Sequence, residues 1–128
     1  MIILIIGGLM VFFGVICVYT RLEIHGRQAH PIPLGTLALV HRISGYLFLL
    51  SYLVQATLMV SRYINYPMEP SPRLSLHVAM GMAIFPLVAI KVVSARYFKR
   101  IGIPVFWFLG ILLWTLAFTT YFTSIWPK

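Results

Sequence analysis

Acid is what this sequence has least of. Among 128 residues only Glu23 and Glu69 carry a carboxylate side chain, and charged residues make up 9% of the chain. So few charges cannot keep a globule of this size in water. No acid is placed to orient a base, so serine or cysteine nucleophile chemistry has no support. Neither acid falls inside an apolar run, which argues against a proton path or transporter built on Tyr52, Gln55, His77 and Lys91. Cysteine is nearly absent as well. Cys17 is the single one, so no intrachain disulfide forms and the redox compartment is left open. With one thiol and scattered histidines, no compact set of zinc ligands exists. The opening Met1-Ile2-Ile3-Leu4 lacks the basic segment of a signal peptide, and no small-x-small cleavage site follows, so a retained first helix is expected.

Apolar residues make up 61% of the chain. They fall in four runs, about 2–20, 34–62, 73–98 and 103–126, each long enough for a hydrocarbon core that takes roughly 20 helical residues. Backbone groups inside lipid must be satisfied within the segment, so the runs are predicted to be helices. The expectation is an all-α, integral membrane four-helix bundle forming one transmembrane domain over residues 1–128. The formal charge of +8 sits at the ends of the runs. It reads as a set of membrane anchors, with no nucleic acid as partner.

The loop from Arg21 to Pro33 is the most polar stretch, with Glu23, His25, Arg27, Gln28 and His30. A turn with Pro67, Glu69, Pro70 and Pro72 separates the second and third runs. Pro86 should kink the third. Arg21, Arg27, Arg42, Lys91, Arg96, Lys99 and Arg100 fall on one side of the membrane, and Arg62, Arg73 and Lys128 on the other. The positive-inside rule makes the first set cytoplasmic and puts both termini on the outer, non-cytoplasmic side. A bacterial or archaeal cytoplasmic membrane fits this frame.

Two stretches carry the candidate chemistry. His41-Arg42-Ile43-Ser44-Gly45 opens the second run and His77-Val78-Ala79-Met80-Gly81 the third. Both read His-x-x-x-Gly, and residues four apart share a helix face. In a membrane helix the pattern points to haem, with imidazole on iron and the porphyrin over the glycine. The flanking faces, His41, Gly45, Phe48, Tyr52, Gln55, Met59 and His77, Gly81, Ile84, Val88, Lys91, are expected to form one inward polar seam between neighbouring helices. Each member also has a plainer reading. Tyr52 and Gln55 bond across helices, Met59 fills core, and Lys91 and Arg42 snorkel to the surface. In the functional reading Arg42, Lys91 and Arg96 neutralise haem propionates, and Arg42 is an alternative partner for a quinone oxygen.

One haem bridging the two histidines is excluded by height. If the turn is centred near residue 67, they lie roughly 20–25 Å apart along the membrane normal at 1.5 Å per residue. Two sites follow, one per leaflet, with one or two haems b and a quinone as further ligand. Met59 is level with His77 and is the weaker candidate for iron. For His41 the second ligand is left open between His25, His30, Lys91, another subunit and a second copy of the chain, since a two-fold axis along the normal would pair His41 with its mate in a homodimer.

His41-Arg42-Ile43-Ser44-Gly45 resembles the His-Arg-x-Ser/Thr-Gly signature of the cytochrome b subunit of succinate dehydrogenase, and His77-x-x-x-Gly81 is similar to that family's second signature. The resemblance implies a haem ligand at His77, with His41 and Arg42 beside the propionates and the quinone. Met82, Ala83 and Ile84 stand where that family has arginine, histidine and aspartate. The four-run plan looks more like small b-type cytochromes of the cytochrome b561-like kind. The expected function is a haem b electron-transfer subunit of a respiratory or photosynthetic redox complex, exchanging electrons with the quinone pool. Other subunits, or a cytochrome or iron–sulfur protein, would be its partners, with lipid around it. The alternative is a cofactor-free accessory subunit, whose motifs are packing glycines and buried histidines.

Overall fold

The computed structural model describes residues 1–26, 31–65, 71–97 and 103–125. They form four helices: α1 (Ile2–Gly26), α2 (Leu34–Asn65), α3 (Pro72–Tyr97) and α4 (Ile103–Ile125). All four are long and apolar enough to cross a membrane, so the chain is an all-helical integral membrane protein. Arg27, Gln28, His30, the turn at 66–70, Lys99, Arg100 and Trp126 lie outside the described residues.

Helix starts follow local chemistry. The Pro33 carbonyl accepts from the amides of Thr36 and Leu37 at 2.9 and 3.1 Å, opening α2. Ser71 caps α3: its hydroxyl accepts from the Leu74 amide at 3.2 Å and its carbonyl from Ser75 at 2.9 Å. Pro72 then takes the first helical position, where a missing N–H costs nothing. One boundary differs from the sequence expectation. α1 continues through Arg21–Gly26, because helical hydrogen bonding does not stop where the apolar run does. α3 runs as one helix through Pro86, whose ring nitrogen withholds the N–H that the Met82 carbonyl would otherwise receive.

The chain divides into two compact units, Met1–Asn65 and Tyr66–Lys128. In the first, α1 packs on α2; in the second, α3 packs on α4. Both are antiparallel hairpins. Thr20 meets His41 while Cys17 meets Gly45, and His77 meets Thr123 while Gly81 meets Thr120, so numbers rise on one helix as they fall on its neighbour.

Each hairpin buries one face per helix. Gly7, Met10, Gly14, Thr20 and Glu23 of α1 are buried, as are Leu37, Ser44, Phe48, Tyr52 and Gln55 of α2. Apart from the step from Gly14 to Thr20, the spacings are three, four and seven, those of a helix stripe. In the second hairpin His77, Ile84 and Ser94 are buried on α3, and Leu109, Leu113, Ala117 and Thr120 on α4. Large apolar side chains such as Ile5, Phe12, Leu50, Phe85 and Phe108 point outward. Small residues in the seams let helices approach where lipid gives them no hydrophobic drive to associate.

Candidate functional site

Within the first unit the α2 histidine face meets α1, and within the second the α3 histidine face meets α4. In the first hairpin His41 Nδ1 lies 3.0 Å from the Cys17 carbonyl and 3.1 Å from Thr20 Oγ1. The Thr20 hydroxyl donates back along its own helix, to the Ile16 carbonyl at 2.7 Å and the Cys17 carbonyl at 3.2 Å. The Cys17 thiol in turn lies 3.7 Å from the His41 carbonyl, as a weak donor to it. A Cβ added at Gly45 would stand 4.0 Å from Cys17 Sγ.

The second hairpin repeats this arrangement. His77 is 8% exposed, and its Nδ1 lies 3.0 Å from Thr123 Oγ1. The Thr123 hydroxyl donates to the Thr120 carbonyl at 2.9 Å. A Cβ added at Gly81 would stand 3.8 Å from Thr120 Cγ2. The two clamps correspond position by position: His-x-x-x-Gly on one helix, and Cys17-x-x-Thr20 or Thr120-x-x-Thr123 on the other. Their order in the chain is reversed, since the threonine helix comes first in one hairpin and last in the other.

One position breaks the correspondence. Leu37, one turn before His41, is 3% exposed. Its counterpart one turn before His77 is Arg73, whose Nε and Nη2 donate to the Thr123 carbonyl at 3.0 and 2.6 Å. Thr123 therefore takes the arginine on its backbone and the histidine on its side chain. A cation there also faces the C-terminal end of the α4 dipole.

Both glycines direct their open side at the partner helix of their own hairpin. Glycines at these positions suit the close packing of helices. Of the other predicted residues, Tyr52 is 6% exposed and shares the α2 stripe with Gln55. Gln55 Oε1 and Trp114 Nε1 are buried without a hydrogen-bond partner among the described residues. Lys91 Nζ lies against α4, 3.4 Å from where a Cβ of Gly110 would be, so its amine fits a gap in the neighbouring helix. Arg42 and Arg96 are exposed and Met59 is half-buried. Among the described residues, no three histidine, cysteine or acidic side chains gather as a metal cage, a form of site that haem with its one or two axial ligands does not require.

Sequence reasoning missed Thr20, Thr123 and Arg73. No family model, no curated protein and no solved structure matches the chain.

Proposed function

We propose that this chain is a haem b-binding membrane subunit that carries electrons for a respiratory or photosynthetic redox complex, in exchange with the quinone pool. The observation that supports it is the pair of imidazoles, each tied through Nδ1 to its neighbouring helix. Histidines that bind metals usually have their second ring nitrogen held in this way, which orients the ring and raises its basicity. In this reading His41 and His77 each hold one haem, in opposite leaflets, and Arg42, Lys91 and Arg96 offset propionate charge at the cytoplasmic side. Met59 is a weaker second ligand to the His77 haem. A symmetry mate of His41, or another subunit, completes the inner site. Haem, when bound, supplies the one-electron chemistry, while the protein supplies orientation and a low dielectric. Tyr52 and Gln55 place polar groups in the α2 stripe for a quinone. Both termini face outward, and the membrane is the cytoplasmic one of a bacterium or archaeon.

The test is the absorption spectrum of the purified protein, with haem counted per chain by pyridine haemochrome. A Soret band with sharp alpha bands is expected. His41→Ala and His77→Ala should each remove a different haem, whereas loss of all haem in either variant would mean one shared site.

A second reading is favoured by the direction of Gly45 and Gly81 toward Cys17 and Thr120. In it the histidines are struts that tie each hairpin, and the chain is a cofactor-free accessory subunit. A purified complex with no haem assigned to this chain would establish it.

A further inference from the structure

The hydrogen bonds around the two histidines also fix where their protons are. A carbonyl oxygen only accepts. The Cys17 carbonyl lies 3.0 Å from His41 Nδ1, so Nδ1 must carry the proton and donate it. At His77 the neighbour is a hydroxyl, which has one proton to give. That proton goes to the Thr120 carbonyl at 2.9 Å, so Thr123 Oγ1 meets His77 Nδ1 as an acceptor at 3.0 Å. The Thr20 hydroxyl proton is committed in the same way, to the Ile16 carbonyl at 2.7 Å, and leaves that oxygen to accept from His41.

We infer that the Cys17 carbonyl at His41, and the Thr123 hydroxyl together with the Thr120 carbonyl at His77, are tautomer-setting partners, which hold both neutral imidazoles with hydrogen on Nδ1 and the lone pair on Nε2. Each ring faces one threonine hydroxyl and one backbone carbonyl of the neighbouring helix. Thr123 is thus a positioning residue for His77, a role it shares with that carbonyl. Its own rotamer is held by the Thr120 carbonyl, and its backbone by Arg73. The proton assignment stands on hydrogen bonding alone. That Nε2 then meets a haem iron rests on the functional reading above. A metal centre accepting one neutral nitrogen donor per hairpin is the ligand class this state serves.

The experiment is nitrogen NMR of the haem-free full chain in lipid bilayers, labelled on histidine and held near pH 8, above the ordinary imidazole range of about 6.5. His41→Gln and His77→Gln assign the signals. Both rings are expected to show a protonated Nδ1 and an unprotonated Nε2. A proton on Nε2 of either ring overturns the inference, with no variant needed. Thr123→Val should shift the His77 Nδ1 signal while the ring keeps its single tautomer on the Thr120 carbonyl and His41 stays as it was, and Thr123→Ser should restore the parent signal. A His77 Nδ1 signal that does not move in the valine variant removes Thr123 from the contact and overturns its part in the assignment. Haem uptake by the same sample is read separately by absorbance, so failure of the cofactor reading and failure of the proton assignment are told apart.

Discussion

Arg73 and Thr123 sit at the point where the second hairpin is gripped twice. The guanidinium reaches the Thr123 carbonyl at 3.0 and 2.6 Å, and one turn later on α3 His77 reaches the same residue's hydroxyl at 3.0 Å. A two-pronged donor on a C-terminal carbonyl combines a charge-assisted hydrogen bond with a favourable helix-dipole contact. Arg73→Gln should therefore weaken the α3–α4 hairpin by ~1 kcal/mol, scaled down from the range for charged hydrogen bonds because the residue is half-buried. Arg73→Lys should recover only part, since an ammonium lacks the planar fork. Equilibrium unfolding in mixed micelles reads both.

The glycines permit a sharper test of what lies beside them. An added Cβ would meet Cys17 Sγ at 4.0 Å and Thr120 Cγ2 at 3.8 Å, both ordinary contacts. Gly45→Ala and Gly81→Ala should fold normally and gain up to ~1 kcal/mol from helix propensity. Gly81→Leu should push α3 from α4 and lower the melting temperature. If haem binds and the alanine variants lose it, the porphyrin does approach these glycines.

Helix number and position were legible because lipid dictates them: long apolar runs have no other stable conformation in hydrocarbon. The stripe on α2 was legible too, since Phe48, Tyr52 and Gln55 repeat at helical spacing and are buried. That the stripe meets α1 was not, because periodicity gives the phase of a helix face and not the helix it packs on. The partners of His41 are a threonine and a carbonyl on α1. A threonine in a helix commonly bonds its own preceding carbonyl, so Thr20 and Thr123 gave no sign in the sequence that each also faces an imidazole. Arg73 was read as an interfacial anchor because a charge near a helix start looks the same whether it meets water or a carbonyl.

Two buried atoms mark where stability is given up. Gln55 Oε1 and Trp114 Nε1 have no hydrogen-bond partner among the described residues, and such a group costs about 1–3 kcal/mol when it is desolvated. Gln55→Met keeps length and drops the acceptor, so it should stabilise the first hairpin by ~1 kcal/mol. Trp114→Phe should be neutral or mildly stabilising, because lost ring area offsets the removed N–H. A Gln55→Met protein that is more stable yet loses quinone-linked reduction would place Gln55 at the quinone.

The strut and ligand roles of His77 can be separated within one side chain. The amide nitrogen of asparagine falls close to where Nδ1 stands, and that of glutamine close to Nε2. His77→Asn should keep a donor toward Thr123 Oγ1 and hold the unfolding free energy within ~0.5 kcal/mol of the parent, the usual size of a replaced membrane hydrogen bond. It should also lose one haem, because an amide is a poor ligand for iron. His77→Gln should lose the haem and the hairpin contact together, at a cost of about 1 kcal/mol. If asparagine and glutamine destabilise equally, the contact to Thr123 contributes nothing through Nδ1. If asparagine keeps full stability in a protein that never bound haem, His77 is a strut and nothing more.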